Sequence, residues 1–414
     1  MDSIHICGGY PLSGETRIQG SKNAVLPILA ATVLVDGVST LDNCPDIADV
    51  QCMVRLLQSV GCVVEWENGQ IRVDARHIGG ISLPQKYVSR MRSSVVMMGA
   101  ILGRMGRVTI SYPGGCVIGK RPIDMHLEAF ARMGVALSEE GNTLTAWTRG
   151  LSGNTVTLAF PSVGATENVI LAGVLAEGET LIRNAAREPE IEALCGFLKC
   201  AGADIQKEAG GSMLRIRGVS RLSGCRYRVP ADRIVAGTYL LGCMAAGGSV
   251  CLKGADSDAL SAVLAVIAGM GGKYQCGQDG ITLTAPERVQ AISYVKTEVY
   301  PGYPTDLQSQ LLAALALADG ESIVEETVFE NRFRVVPELV RMGACMETEK
   351  NRVIIRGVRA LYGKKVAAEE LRGGAALCMA ALAAQGDTYI ANRHFIDRGY
   401  QAIEQDIRNL GGRI

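Results

Sequence analysis

One unit, written six times along the chain, limits what this sequence can fold into. In each copy an Ala-rich apolar stretch ends at a glycine and a short strand-like run follows. The runs are Gly37-Val38-Ser39-Thr40-Leu41, Gly106-Arg107-Val108-Thr109-Ile110, Gly178-Glu179-Thr180-Leu181-Ile182, Gly248-Ser249-Val250-Cys251-Leu252, Gly320-Glu321-Ser322-Ile323-Val324 and Gly386-Asp387-Thr388-Tyr389-Ile390. Their leading glycines stand 69, 72, 70, 72 and 66 residues apart. So long a period marks a whole supersecondary unit, larger than the usual solenoid repeat. Each copy continues into a polar loop and an amphipathic helix that closes at Gly61, Gly134, Gly202, Gly271, Gly343 or Gly411. Glycine suits that place because the residue just past a helix end turns left-handed. In the first five copies one or two strand-like segments follow, such as Gln70-Ile71-Arg72-Val73-Asp74.

The unit therefore reads helix, strand, helix, strand, strand, an α/β pattern with two kinds of helix. The amphipathic kind keeps a face in solvent. The Ala-rich kind, as in Leu311 to Ala318 and Ala375 to Ala384, is apolar all round and is predicted to be buried. At 414 residues the chain exceeds one ordinary core and fits two domains, although spacing alone does not say how six units divide between them. Aromatic residues are 5% of the chain, so the core must be built from Ala, Leu, Val, Ile, Met and Gly.

Charge and cysteine usage exclude several functions. Forty-two Lys and Arg balance 42 Asp and Glu, which gives no support to a general role on nucleic acid or a membrane surface, while leaving room for a local basic cleft. The 13 cysteines are odd in number and scattered, and no CxxC occurs, which argues against a disulfide framework or a zinc site and for a reducing compartment. The start, Met1-Asp2-Ser3-Ile4-His5, lacks the marks of a signal peptide. The longest nearly unbroken apolar run, Ala24 to Val35, has 12 residues and is too short to span a bilayer. A cytoplasmic protein is expected.

The second copy breaks the metre. From leading to closing glycine the copies span 24, 28, 24, 23, 23 and 25 residues, and the extra four fall around Pro113-Gly114-Gly115-Cys116-Val117-Ile118-Gly119-Lys120. A Gly-rich insertion confined to one copy is more readily functional than structural. Cys116 could be one more small core residue, or a reactive thiol whose pKa is lowered by Lys120 and Arg121. The predicted buried helices begin with Ser21-Lys22-Asn23, Arg92-Ser93-Ser94, Gly164-Ala165-Thr166, Asp232-Arg233, Thr305-Asp306 and Arg372-Gly373-Gly374. Helix N-termini attract anions and disfavour cations, so Lys22, Arg92 and Arg372 call for a compensating negative charge unless they are simply solvated. Asp306 reads equally as a first-turn acid. Asp397-Arg398-Gly399 holds, in the sixth copy, the place of the Cys116 loop, and reads otherwise as a surface ion pair. The four histidines show no metal spacing, and HExxH, Walker A and GxGxxG motifs are absent.

Taken together, Gly14 to Asn23, Pro113 to Asp124, Pro161 to Thr166, Asn184 to Glu190, Phe329 to Phe333 and Ile396 to Tyr400 resemble the UDP-N-acetylglucosamine 1-carboxyvinyltransferase family. The resemblance runs the full length, and the Gly-Gly-Cys loop followed by Arg121-Pro122 is its most specific element; the sister enolpyruvylshikimate-phosphate synthases lack that loop. It implies an α/β fold of two inside-out barrel domains with three repeats each, residues 22–229 and residues 1–21 plus 230–414, the active site between them. It implies transfer of the enolpyruvyl group of phosphoenolpyruvate to a UDP-amino sugar in peptidoglycan synthesis, with no cofactor or metal, small-molecule partners only, and fosfomycin as the family's inhibitor.

By the same resemblance Lys22, Arg121 and Arg398 hold the phosphate of phosphoenolpyruvate, Arg332 and Arg372 its carboxylate, and Asn23 meets the sugar-side chemistry. Arg92, Arg121, Pro122, Ile123, Asp124, Met125, Ser162, Val163, Gly164, Asp306 and Val328 line the UDP-sugar pocket. Asp306 is the expected base for the sugar hydroxyl, and Cys116 the acid or a transient covalent partner. The sequence departs from the family at Glu370, where Asp is usual, and at Phe160, where one branch carries a basic residue. Two other readings are an enolpyruvyl transferase for a shikimate-type acceptor and a non-catalytic UDP-sugar-binding paralogue. The cysteine loop speaks against the first, and the retention of the cysteine and of every cation against the second.

Overall fold

The computed structural model describes residues 3–114, 119, 122–208 and 211–414. Each repeat supplies one buried and one half-exposed helix. These are α1 (Lys22–Ala31) and α2 (Ala48–Ser59), α3 (Met97–Met105) and α4 (Asp124–Arg132), α5 (Val163–Gly173) and α6 (Pro189–Cys200), α7 (Arg233–Ala246) and α8 (Ser261–Gly269), α9 (Gln308–Leu315) and α10 (Val336–Arg341), and α11 (Leu371–Ala383) and α12 (Ile403–Asn409). The apolar helices are the buried ones: every residue of α11 from Leu371 to Leu382 is buried, whereas α2 hides only one side, including Val50, Met53, Val54 and Leu57. Each fully buried Leu, Ile or Val on such a helix contributes about 1.5–3 kcal/mol. All six closing glycines adopt φ between 84° and 108°. That is the left-handed turn the sequence pattern requires of them.

The chain divides into two compact units. One takes in the repeats from Gly20 to Pro230, the other the N-terminal residues through Gln19 together with Ala231–Ile414. Within each unit a repeat folds its strands into an antiparallel sheet and receives a parallel strand from the repeat before it. Val38–Asp42 pairs antiparallel with Gln70–Asp74 and parallel with Arg226–Arg228, so the last strand of the third repeat returns to the first. In the other unit the chain's N-terminus does this work. Leu12–Arg17 pairs parallel with Gly248–Lys253, and Ser3–Gly8 pairs antiparallel with Gly386–Ala391. The sixth repeat has no strand pair of its own after its amphipathic helix, and Ser3–Gly8 fills that vacancy.

The aromatic-poor composition has a packing reason. A Cβ on Gly237 would lie 2.3 Å from Leu307 Cδ1, and one on Gly242 would lie 2.2 Å from Met379 Sδ. The buried helices of this unit approach too closely for large side chains between them, and small residues keep the interior at the density of a native core. Among the described residues no helix is long and apolar enough to cross a membrane.

Candidate active site

In the first unit the cation at the start of α1 has a protein counter-charge. Ser21 caps the helix by accepting from the Ala24 N–H at 3.3 Å, and Lys22 Nζ lies 3.0 Å from Asp49 Oδ2 in the first turn of α2. Both side chains are largely buried, at 12% and 5% exposure. Asn23 follows on α1, and Arg92 opens the 3-10 turn Arg92–Val96 that leads into α3. Pro122 is exposed and Ile123 buried, and Asp124 and Met125 begin α4. Ser162 caps α5 through the Ala165 N–H, with Val163 and Gly164 in its first turn.

The starts of α4 and α5 are adjacent, since a Cβ on Gly164 would lie 3.1 Å from His126 Cε1. Asn168 fixes this corner. Its Oδ1 accepts from the Gly99 N–H at 2.7 Å, its Nδ2 donates to Val95 O at 3.1 Å, and the same amide lies 2.7 Å from His126 Nδ1. The structure thus brings His126, next in sequence to Met125, against Gly164. Cys116 and Arg121 lie outside the described residues.

In the second unit three of the residues singled out from the sequence form one cluster. The Asp306 carboxylate accepts from Arg332 Nη2 at 2.5 Å on one oxygen and from Arg372 Nη2 at 2.8 Å on the other. The arginines are 2% and 3% exposed and the aspartate 26%. Burial works against the Arg372 charge; the Asp306 carboxylate, then Tyr400 and Asp232, overcome it and hold the guanidinium above its ordinary pKa. Burial raises the Tyr400 pKa against the neighbouring Arg372 charge; the Tyr400 hydroxyl is 2.8 Å from Thr238 Oγ1, and Gln310 Nε2 donates to Thr238 Oγ1 at 3.0 Å. Asp306, just before α9, thus joins Arg372 of α11, and Gln310 of α9 joins Thr238 of α7, in one polar network.

Arg332 Nε and Arg372 Nη1 remain buried with no hydrogen-bond partner among the described residues. Arg332 also stacks its guanidinium 5.5 Å from the centre of the Phe329 ring. Arg398 ends the 3-10 stretch Arg393–Arg398, where Asp397 accepts from Arg393 at 3.2 Å. Glu370, one methylene longer than the family's usual residue, still caps α11 by accepting from the Arg372 N–H at 2.7 Å and from Gly373. Phe160 is exposed.

Two acids escape the sequence reading, and a third, Asp232, enters it only as a helix start. Asp49 looks like an ordinary first-turn acid of an amphipathic helix, and Asp232 like an ordinary cap. Glu326 is 2% exposed and organises two loops. Its Oε1 accepts from Thr297 Oγ1 at 2.8 Å and from the N–H groups of Val328 at 2.7 Å and Phe329 at 3.1 Å, while its Oε2 accepts from Thr305 Oγ1 at 2.8 Å. It thereby joins Val328 to the residue before Asp306. Thr305-Asp306, a helix start, and Val328, which the resemblance places in the sugar pocket, were the available signal, but neither names the acid between them.

A fold of repeated α/β units with buried arginines at helix starts defines the class. The chain belongs to the EPSP synthase (3-phosphoshikimate 1-carboxyvinyltransferase) family, which it matches over residues 6–407. Within that family it is 43% identical, over all of this chain and 99% of the other, to UDP-N-acetylglucosamine 1-carboxyvinyltransferase 2 of Caldanaerobacter subterraneus subsp. tengcongensis. It is 44% identical to UDP-N-acetylglucosamine 1-carboxyvinyltransferase 1 of Symbiobacterium thermophilum, over 99% of this chain and 94% of that one. Among solved structures, the enolpyruvyl transferase NikO from Streptomyces tendae superposes with a TM-score of 0.90 at 24% identity, covering 99% of this chain and 97% of that one. EPSP synthase from Acinetobacter baumannii gives a TM-score of 0.76 at 17% identity, covering 99% and 98%. These two likenesses concern the fold.

Proposed function

We propose that this protein transfers the enolpyruvyl group of phosphoenolpyruvate to the 3-hydroxyl of UDP-N-acetylglucosamine and releases phosphate, the committing step of peptidoglycan precursor synthesis. The observation that carries this reading is identity above 40%, over essentially the whole chain, to proteins bearing that activity in their names. We read each unit as an inside-out barrel, and the cytoplasm, where both substrates are made, as its place of work. Its partners on this reading are the two small molecules and no nucleic acid.

The polar network of the second unit supports the roles given to its residues. Arg332 and Arg372 are fixed, charged and buried, with N–H donors to spare, which suits a planar carboxylate taken up in two-pronged fashion. A substrate carboxylate arriving there takes over guanidinium contacts now made by Asp306. It thereby frees the aspartate to accept the proton of the sugar hydroxyl. Lys22, with Arg121 and Arg398, holds the phosphate. The addition begins when a proton reaches the methylene carbon of phosphoenolpyruvate and the adjacent carbon becomes cationic. The sugar oxygen bonds to that carbon and gives its proton to Asp306. In the elimination the methylene carbon loses a proton, the double bond reforms and the carbon–oxygen bond to phosphate breaks. Fixed cations stabilise the leaving phosphate without reorganising at the moment of reaction. Cys116 serves at the proton-donating step or as a transient covalent partner.

Phosphate release from phosphoenolpyruvate, measured separately with UDP-N-acetylglucosamine and with shikimate 3-phosphate, tests the reading. Turnover with the nucleotide sugar alone is expected. Turnover with shikimate 3-phosphate alone would assign the chain to the other branch of its family, and none with either would make it a binding protein.

A further inference from the structure

The first unit carries a pair of thiols far along the chain from the residues considered so far. Cys200 is the last residue of α6 and faces solvent; Cys225 is half-buried and directly precedes the strand Arg226–Arg228. Their hydrogen bonds cross. Cys200 Sγ points to the carbonyl of Arg226, the neighbour of Cys225, at 3.6 Å, and Cys225 Sγ points to the carbonyl of Phe197, one helical turn before Cys200, at 3.9 Å. Each thiol therefore lies against the stretch of backbone that carries the other, and Cys200 acts on the Cys225 thiol.

We infer that Cys200 and Cys225 form a reversible disulfide when the protein meets hydrogen peroxide. Cys200 reacts first because it is the exposed member. Its thiolate sulfur bonds to one peroxide oxygen, the O–O bond breaks, and the departing hydroxide takes a proton to become water, leaving a sulfenic acid. The Cys225 sulfur then attacks the Cys200 sulfur. The S–S bond forms, the S–O bond breaks, and the hydroxyl leaves as water with the Cys225 proton. Two thiols are oxidised, and one peroxide is reduced to two waters. Burial pushes the Cys225 thiol up to about 12, which keeps it protonated and out of direct reaction with the oxidant, so the exposed Cys200 is the member that peroxide meets. The bond ties the end of α6 to the strand that pairs with Val38–Asp42, and a dithiol reductant opens it again.

Trypsin separates the two cysteines into Cys200–Lys207 and Leu222–Arg226, so the link can be read directly. The full-length protein is treated with a small excess of peroxide, its remaining thiols are alkylated, and it is digested without reductant. The expected result is one linked species of these two peptides, lost after dithiothreitol. In Cys225→Ser, Cys200 should stop at the sulfenic acid and be trapped by dimedone several-fold more than in the unaltered chain. Recovery of both peptides unlinked from peroxide-treated protein would overturn the inference, as would equal dimedone trapping with and without Cys225.

Discussion

Asp306 stands between two jobs. In the structure it neutralises Arg332 and Arg372, and on the proposed mechanism it takes a proton from the sugar. Two substitutions separate these roles. Asp306→Asn keeps the shape and one accepting oxygen; turnover should fall by roughly 10²–10⁴, with little change in sugar affinity measured by calorimetry. Activity within about tenfold of the unaltered enzyme would reduce Asp306 to a structural counter-charge. Asp306→Ala leaves two buried guanidiniums facing each other and should lower stability by about 2–3 kcal/mol in urea unfolding, a figure discounted because the aspartate is partly exposed. An unchanged midpoint would mean that the arginines need no internal partner. Cys116 belongs to the same scale. On the proposed function Cys116, followed in sequence by Lys120 and Arg121, is the reactive thiol, so fosfomycin should alkylate it before the other cysteines, and faster with UDP-N-acetylglucosamine present. Peptide mass mapping reads the site, and modification spread over several cysteines would remove the case for this loop as the reactive centre. Cys116→Asp should escape alkylation and keep some turnover, since a carboxylic acid still donates a proton, whereas Cys116→Ser should lose most of it.

At the scale of elements, the sequence reveals a helix start more readily than it reveals what faces it. Lys22 and Arg372 stand out because cations are unfavourable at those ends, and the demand they make for negative charge is met by Asp49 and Asp306. Asp49 was not legible because nothing in Ala48-Asp49-Val50 separates a buried partner from a solvated first-turn acid. The glycine metre was legible because left-handed backbone admits few other residues, and all six closing glycines use it. The pairing of Ser3–Gly8 with the sixth repeat, by contrast, was not legible, because strand pairing across the length of a chain leaves no local mark. Glu326 was missed for a similar reason: the two hydroxyls that it accepts from, on Thr297 and Thr305, lie 29 and 21 residues away along the chain. Glu326→Ala should release both the Thr305 and Val328 loops, raising KM for the nucleotide sugar by roughly tenfold or more, equivalent to about 1.4 kcal/mol or more of lost binding where KM reflects affinity. Glu326→Gln, which keeps the oxygen shared by Thr297, Val328 and Phe329, should recover most of that loss. Equal KM values for Ala and Gln would show that Glu326 does not position these loops.

At the scale of the whole molecule, six similar units bring six buried helix starts into existence, and on the proposed function the chemistry occupies only some of them. The repeats make the scaffold regular, while the departures from regularity carry the individuality of the chain: the Gly-rich insertion at Cys116, the acidic cap Glu370 and the Asp306 cluster. The fold is shared with enzymes acting on different acceptors, as the likeness to EPSP synthase makes plain, so the acceptor must be decided at the site. The most direct measurement is the mass of the acceptor after incubation with phosphoenolpyruvate, read with the amount of phosphate released. UDP-N-acetylglucosamine should gain one enolpyruvyl group for each phosphate set free, while shikimate 3-phosphate offered under the same conditions stays unchanged. An unmodified nucleotide sugar beside an enolpyruvyl-bearing shikimate 3-phosphate would contradict the assignment.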